Sequence, residues 1–151
     1  MALSILTLSL LMLNVSCSKK PDTGEDAQVT TLGSIEVTAQ LIEIKGDLID
    51  DPIYDYAHVM KYKVLQVHRG EVKDKTIYVG HYNPAKARAS AADDRCPEIG
   101  GNLRQFRPND IHRIAMETPI DDYYMGGIIN KYFEQSDAPV YWAVWTNKVV
   151  K

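Results

Sequence analysis

The stretch YAHVMKYKVLQVHRG, residues 56–70, decides the fold class because its apolar residues change faces along its length. Apolar residues occupy every second position from Met60 to Val64, which is typical of a β-strand with one buried face. Leu65 and Val67 then take the opposite parity, so the strand must contain a bulge or a sharp bend. Long strands that bend in this way are what the closure of a small barrel requires.

Four more stretches predict strands. In SIEVTAQLIEIKG, residues 34–46, the apolar positions run by twos from Ile35 to Leu41 and then shift to Ile42 and Ile44, which again indicates a bend. The other three alternate or are rich in β-branched and aromatic residues. They are KTIYVGHY (75–82), DIHRIAME (110–117) and VYWAVWTNKVV (140–150).

Two helices are predicted between these strands. NPAKARASAADD, residues 83–94, offers Asn83 as an N-cap, Pro84 at the first helical position and then a run of alanines. A short second helix is predicted in the connection before the last strand, because four apolar residues recur there at helical spacing. These four are Ile128, Ile129, Tyr132 and Phe133.

The predicted fold class is therefore mainly β. Three strands, a helix and two more strands, with a short helix between strands four and five, follow the order of an OB-fold, a five-stranded Greek-key barrel. An immunoglobulin-like sandwich and other small barrels remain alternatives.

The amino terminus predicts export. Residues 2–16 form an apolar run too short to cross a bilayer comfortably, and it ends in small residues before Cys17. The sequence LNVSC resembles the lipobox of bacterial lipoproteins, in which the cysteine becomes the lipidated first residue of the mature chain. The resemblance implies a signal peptide over 1–17, lipidation of Cys17, and an extracytoplasmic place in the bacterial cell envelope with a membrane anchor. Ordinary secretion and a retained anchor are the alternatives.

The domain organisation follows from composition. Residues 18–32 are polar and poor in aromatic residues, which predicts a flexible tether, and residues 33–151 form the barrel domain. With Cys17 lipidated, Cys96 has no disulfide partner. The formal net charge of −3 argues against binding to nucleic acid.

The middle of the chain carries a pattern of turn and core residues over roughly residues 55–117. The pattern consists of Arg69 with Gly70, Cys96 with Gly100 or Gly101, and Phe106 with Pro108, Asn109 and Asp110. It resembles the netrin-like and metalloproteinase-inhibitor-like group of OB-fold domains, and the resemblance implies a barrel that serves as a binding module. Protease inhibition is not implied, because those inhibitors use an N-terminal cysteine locked to the barrel, and Cys17 lies well before the first strand.

A binding site is predicted where two loops converge. In an OB-fold the loop between strands one and two and the loop between strands four and five flank one binding face. Here these loops, GDLIDDPIYDY (46–56) and IDDYYMGGIINKYF (120–133), combine carboxylates that accept hydrogen bonds with aromatic faces that cover sugar rings. The predicted ligand is a glycan or a partner protein. The predicted ligand-binding residues are Asp51, Tyr54, Asp55, Tyr56, Asp121, Asp122, Tyr123 and Tyr124, together with His81 and Trp145.

Other interpretations compete with this one. The acids are also typical turn residues, and the apolar residues of 120–133 also suit a lid packed on the barrel. Asp121 and Asp122 could hold Ca²⁺, although no twelve-residue calcium loop is present. A hydrolase built on His81 with Asp93 or Asp94 lacks a nucleophile, base and orienting group at readable spacing, so the chain is predicted to be no enzyme and to need no cofactor or metal. An accessory subunit of an envelope complex is the main alternative function.

Overall fold

The computed structural model describes residues 19–150, so Cys17 and the predicted signal segment lie outside the described residues. One short helix and six strands make up the regular structure, with 3-10 turns at Arg88–Ser90 and Ile120–Asp122. The elements are α1 (Ala27–Thr31), β1 (Ile35–Glu43), β2 (Tyr56–Arg69), β3 (Thr76–Tyr82), β4 (Ile111–Glu117), β5 (Gly127–Ile129) and β6 (Val140–Val149).

Five of the strands close into a barrel. The order around the barrel is β1, β2, β3, β6, β4 and back to β1. The short strand β5 is not part of this ring and pairs with the start of β2. All neighbours in the barrel are antiparallel except β3 and β6, which are parallel. The prediction of a mainly β chain with a closed, OB-like five-stranded barrel is confirmed, and the sandwich alternative is wrong.

The predicted bends occur where β1 meets β2. Three register shifts interrupt this pairing, and at one of them the partners of Thr38 and Ala39 jump from Gln66 to Val64. Leu65, which the jump passes over, is 46% exposed. The parity change in β2 thus reflects a bulge that turns its second half outward.

The barrel is packed on both faces. Its interior holds a first apolar cluster, and a second cluster lies outside it, under α1, residues 91–99 and the turn at Ile120–Asp122. Trp142 belongs to the second cluster and is 1% exposed. Because both faces are covered, the first five residues of β2 are all buried and show no alternation.

The predicted helix over 83–94 does not form. Asn83 takes a positive φ of 42°, and only a 3-10 turn follows, at Arg88–Ser90. The buried guanidinium of Arg88 competes with a helix here, because it donates hydrogen bonds to the Asn83 and Lys86 carbonyls, which helical amides would otherwise use. It donates to the backbone oxygens of Tyr82, Asn83 and Lys86 at 2.6–3.0 Å.

The second predicted helix is also wrong. Ile128 and Ile129 belong to β5, which pairs in parallel with the start of β2. A single turn follows, in which the amides of Gln135 and Ser136 both donate to the Tyr132 carbonyl. The helical spacing of the apolar residues arises from this strand followed by a turn.

The segment predicted as a tether is fastened to the barrel over much of its length. Asp26 caps α1 by accepting from the Val29 amide at 2.8 Å, and Val29 is fully buried. On the barrel side, Arg69 of β2 donates to the carbonyls of Thr30 and Leu32, which closes the end of α1.

Candidate functional site

The two predicted binding loops are joined by backbone pairing. Tyr56, Ala57 and His58 of β2 lie opposite Gly127, Ile128 and Ile129 of β5 in parallel register. Further along, the Tyr132 hydroxyl donates to the Glu43 carbonyl at 3.4 Å, and the Lys45 ammonium lies 5.5 Å from the centre of the Tyr132 ring. Residues 44–55 and 118–139 therefore form one surface, which we call the loop surface.

Two of the predicted ligand-binding tyrosines hold this surface together from beneath. Tyr56 is 1% exposed, and its hydroxyl accepts from the Ile49 amide at 2.6 Å and donates to the Ile49 carbonyl at 3.1 Å. Tyr124 is 6% exposed and stacks on Trp142 with ring centres 4.8 Å apart. Burial raises the pKa of Tyr124 to about 12, so its phenol stays neutral. Both rings are packed in the protein and leave little surface for a ligand.

His81 lies inside the barrel and is fully buried, so it also offers no surface to a ligand. The Tyr62 hydroxyl is 3.0 Å from His81 Nε2 and 3.1 Å from His112 Nδ1. Burial, and then the charge of Arg88, hold the pKa of His81 well below its usual range, so the imidazole is neutral. Asp93 contacts Tyr82, the residue that follows His81 in β3, and the Tyr82 hydroxyl donates to the Asp93 carboxylate at 2.6 Å.

Neighbouring residues of a strand point to opposite faces, so His81 and Asp93 are separated by the sheet. The hydrolase arrangement based on this pair is not assembled. Cys96 offers no alternative nucleophile, because burial raises the pKa of its thiol to about 12 and the reactive thiolate is suppressed.

The predicted acids of the first loop have local structural partners. Asp51 Oδ1 accepts from the Ile53 amide at 2.7 Å, and Asp55 Oδ1 accepts from the Asn83 side chain at 2.8 Å. Lys86 lies 3.8 Å from the same Asp55 oxygen. Each carboxylate keeps a second oxygen for another partner.

The predicted acids of the second loop are more accessible to solvent. Asp121 and Asp122 lie in an exposed 3-10 turn, and the next residue, Tyr123, is 50% exposed. The charge of Glu117, at the end of β4, raises the pKa of the Tyr123 hydroxyl. These three residues carry most of the accessible polar surface among the predicted site residues of this loop.

Trp145 is not brought together with the loop surface. Its Nε1 donates to Asp26 Oδ2 at 3.1 Å, and its ring covers Gly100, where a side chain would overlap it. The indole therefore holds the amino-terminal segment on the barrel, and the glycine is required by this close approach.

Sequence reasoning missed the most exposed apolar residues of the loop surface. Ile53 is 90% exposed and Met125 is 95% exposed, while Phe133, predicted to lie on a buried helix face, is 78% exposed. Ile49 and Tyr54 add partly exposed surface at 41% and 47%. The available signal was the position of Ile53 and Met125 inside polar turn segments, where no strand or helix pattern calls for an apolar residue.

The loop surface is also strongly acidic. Residues 44–55 contain four carboxylates against one lysine, and so do residues 118–139. The loop surface therefore carries a formal charge of −6, against −3 for the whole chain. The rest of the protein is net positive.

Neither a metal site nor a membrane span is found in the part of the chain that the structure describes. Among residues 19–150, no three His, Cys, Asp or Glu side chains are grouped so that they could hold a metal ion. In the same range, no helix has the length and apolar character needed to cross a bilayer.

The fold defines a class of protein, a small OB-like five-stranded barrel. Comparison with known proteins finds no matching family model, no matching characterised protein and no matching solved structure.

Proposed function

We propose that the protein is a non-enzymatic binding module of the bacterial cell envelope whose loop surface binds a partner protein. The observation that carries the proposal is the exposure of Ile53 and Met125, 90% and 95%, on two loops that β2 and β5 hold together. Clustered exposed apolar side chains mark interaction sites in proteins that otherwise bury them. Methionine and aromatic residues are also enriched at protein interfaces.

The placement of the tyrosines favours a protein over a glycan. Sugar rings are bound through open aromatic faces, and two of the predicted tyrosines, Tyr56 and Tyr124, are buried. Tyr54 and Tyr123 remain, each about half exposed. The exposed side chains of Ile53, Met125 and Phe133 suit the apolar centre of a protein interface, and the acids around them suit a partner with a basic rim.

The envelope location rests on the resemblance of LNVSC to a lipobox, with Cys17 as the lipidated residue. A chain held at a membrane by its amino terminus samples a small volume, which raises the effective concentration of any membrane partner. Labelling of growing cells with an alkyne-bearing fatty acid tests this. The wild type should incorporate the label, and Cys17→Ser should not; equal labelling of the two would place the anchor elsewhere.

The partner is sought by cross-linking and affinity capture from detergent-solubilised membranes of the producing cell. The test variant is Ile53→Ser with Met125→Ser, which removes the most exposed apolar groups of the loop surface. The control is Leu65→Ser with Val67→Ser, which removes two exposed apolar groups from the second half of β2, where they are 46% and 39% exposed. A protein captured by the wild type and the control, and at least tenfold less by the test variant, supports the proposal.

Equal capture by the test and control variants would exclude the loop surface. The glycan alternative is tested by calorimetric titration of cell-wall and capsular glycans into the wild type, Tyr54→Ala and Asp122→Ala. Glycan binding that both substitutions weaken would replace the proposed protein partner with a carbohydrate.

A further inference from the structure

A cleft of about 600 Å³ opens beside the segment that leads into β4. It shares no lining residue with the loop surface. Its volume lies within the range of about 300–1,000 Å³ that is usual for small-ligand sites. The polar residues that line it are Asn102, Arg104, Gln105, Arg107, Asp110 and Lys148.

The cleft concentrates positive charge in a protein of net negative charge. Arg104, Arg107 and Lys148 face it together with one carboxylate, Asp110, so the lining carries a formal charge of +2. None of these three cations takes part in an ion pair with any residue from 19 to 150. The structural arginines behave differently, because Arg113 and Arg69 both pair with buried Glu36.

The backbone that carries these cations is fixed in place. Leu103 and Phe106, 2% and 4% exposed, anchor the segment in the barrel interior on either side of Arg104. Asn102 ties it to β6, because its side-chain oxygen accepts from the Lys148 amide at 2.7 Å. Preorganisation of this kind reduces the entropic cost of binding.

One guanidinium is also oriented by a neighbour. Arg107 donates from Nε and Nη2 to Gln105 Oε1, at 3.2 and 2.8 Å. An amide oxygen holds the guanidinium without neutralising it, so the full charge and the remaining N–H groups stay available. Guanidinium groups pair with two oxygens of a phosphate or carboxylate at once, which makes arginine the residue suited to such anions.

We propose that this basic cleft is a second binding site, which takes a ligand bearing two or more oxyanion groups, either phosphates or carboxylates. Arg104 and Arg107 pair with the anionic groups, and Lys148 adds a third positive charge. Asp110 opposes binding and limits the affinity. The site is separate from the proposed protein-binding loop surface, so neither proposal depends on the other.

The test uses two probes, inorganic tripolyphosphate and hexagalacturonate, which present phosphates and carboxylates respectively. Each is titrated calorimetrically into the wild type and into Arg104→Gln with Arg107→Gln at low and moderate salt. The charge-matched control is Lys73→Gln with Lys75→Gln in the exposed turn before β3. Asp110→Asn provides a variant with the opposite expected sign.

We expect at least one probe to bind, more weakly at higher salt. The double arginine variant should lose tenfold or more in affinity, the lysine control should lose less than threefold, and Asp110→Asn should bind more tightly than the wild type. The probe that binds identifies the type of anion. Absence of binding by both probes at millimolar concentration, or equal losses in the arginine and lysine variants, would overturn the proposal. Thermal unfolding of each variant confirms that it is folded.

Discussion

Tyr56 on β2 lies opposite Gly127 on β5, and this pairing fastens the connection between the last two barrel strands to the first loop. Gly127 leaves room for Tyr54, whose hydroxyl oxygen would be 3.2 Å from a Cβ at that position. The loop surface is thus a continuation of the barrel sheet. The pairing begins within three residues of the exposed side chains of Ile53 and Met125, which reduces the ordering cost of binding.

The neighbouring glycine is the sensitive position in this arrangement. A Cβ on Gly126 would overlap the phenol of Tyr124, which cannot move aside because it is stacked on Trp142. We expect Gly126→Ala to destabilise the protein by about 1–3 kcal/mol, as overpacking does, and to speed amide exchange at Ile128 and Ile129. Gly127→Ala is the matched control and should be tolerated. Hydrogen exchange and urea unfolding measure both effects, and equal behaviour of the two variants would contradict the packing described.

Glu36 is the buried charge on which the outer side of β1 depends. Its carboxylate, 4% exposed, accepts from Arg113 Nε at 2.7 Å and from Arg69 Nη1 at 2.8 Å. Glu36→Gln should remove the buried counter-charge of both guanidinium groups, leaving Arg113 with only the exposed Glu25, and lower the free energy of unfolding by about 3–5 kcal/mol.

Glu25→Gln is the control for this prediction, because Glu25 pairs with the same Arg113 but is 60% exposed. An exposed pair contributes about 1 kcal/mol or less. Urea unfolding should therefore separate the two variants clearly. A loss of similar size in both would mean that the buried carboxylate has no special role.

The sequence pattern predicted the barrel because bends and alternation are local properties of β1 and β2. It failed for residues 83–94 because the outcome there depends on Arg88, whose guanidinium reaches the carbonyls only in the folded protein. The helix propensity of the alanines is small compared with the free-energy cost of burying the Arg88 guanidinium without these acceptors.

The candidate site was predicted in outline and not in detail. The loops converge as the strand order required, but periodicity does not reveal that β5 forms, since a three-residue strand exists only through its pairing with β2. The burial of Tyr56 and Tyr124 also arises from the folded chain. Tyr56 is covered by the first loop through Ile49, and Tyr124 packs in the cluster outside the barrel, which the alternation of single strands does not show.

Asp26 is expected to hold the amino-terminal segment, which contains α1, on the barrel. Its carboxylate accepts from the Val29 amide, from Trp145 Nε1 at 3.1 Å and from Asn147 Nδ2 at 2.6 Å. Asp26→Ala removes a helix cap, which costs about 0.5–2 kcal/mol, and leaves two buried donors with fewer acceptors. It should also expose the segment to protease. Asp26→Asn keeps one acceptor oxygen and should lose less; cleavage of both variants at the wild-type rate would show that other contacts hold the segment.

The stability of the fold should fall in acid because of the two histidines that face Tyr62. Burial lowers the pKa of His112 to about 4 and holds that of His81 well below its usual range. His112 Nε2 and His81 Nδ1 have no hydrogen-bond partner from the described residues, so the interior offers nothing to compensate a proton. The charge of Arg88 also opposes protonation of His81. For His112 the charge of Asp110 favours protonation and that of Lys148 opposes it, and burial outweighs both.

In the unfolded chain a histidine titrates near 6.5. Between pH 6.5 and about 4 the unfolded state therefore binds more protons than the folded state, and stability falls as the pH is lowered through this window. Above pH 6.5 the stabilisation is fully present. His112 alone should contribute on the order of 3 kcal/mol at pH 7, with His81 adding to it in the same direction.

Urea unfolding at pH 7.5, 6.0 and 5.0 measures this slope. His112→Gln removes one titrating group and should make the stability less dependent on pH, whatever its effect at pH 7.5. The matched control is His68→Gln, since His68 is exposed and its Nε2 lies 2.7 Å from the Thr38 hydroxyl. Partial burial also lowers the pKa of His68, but less than full burial lowers that of His112, so His68→Gln should reduce the slope less than His112→Gln. An unchanged slope in His112→Gln would show that His112 takes up its proton in the folded protein as readily as in the unfolded chain, which would contradict the effect of burial on its pKa.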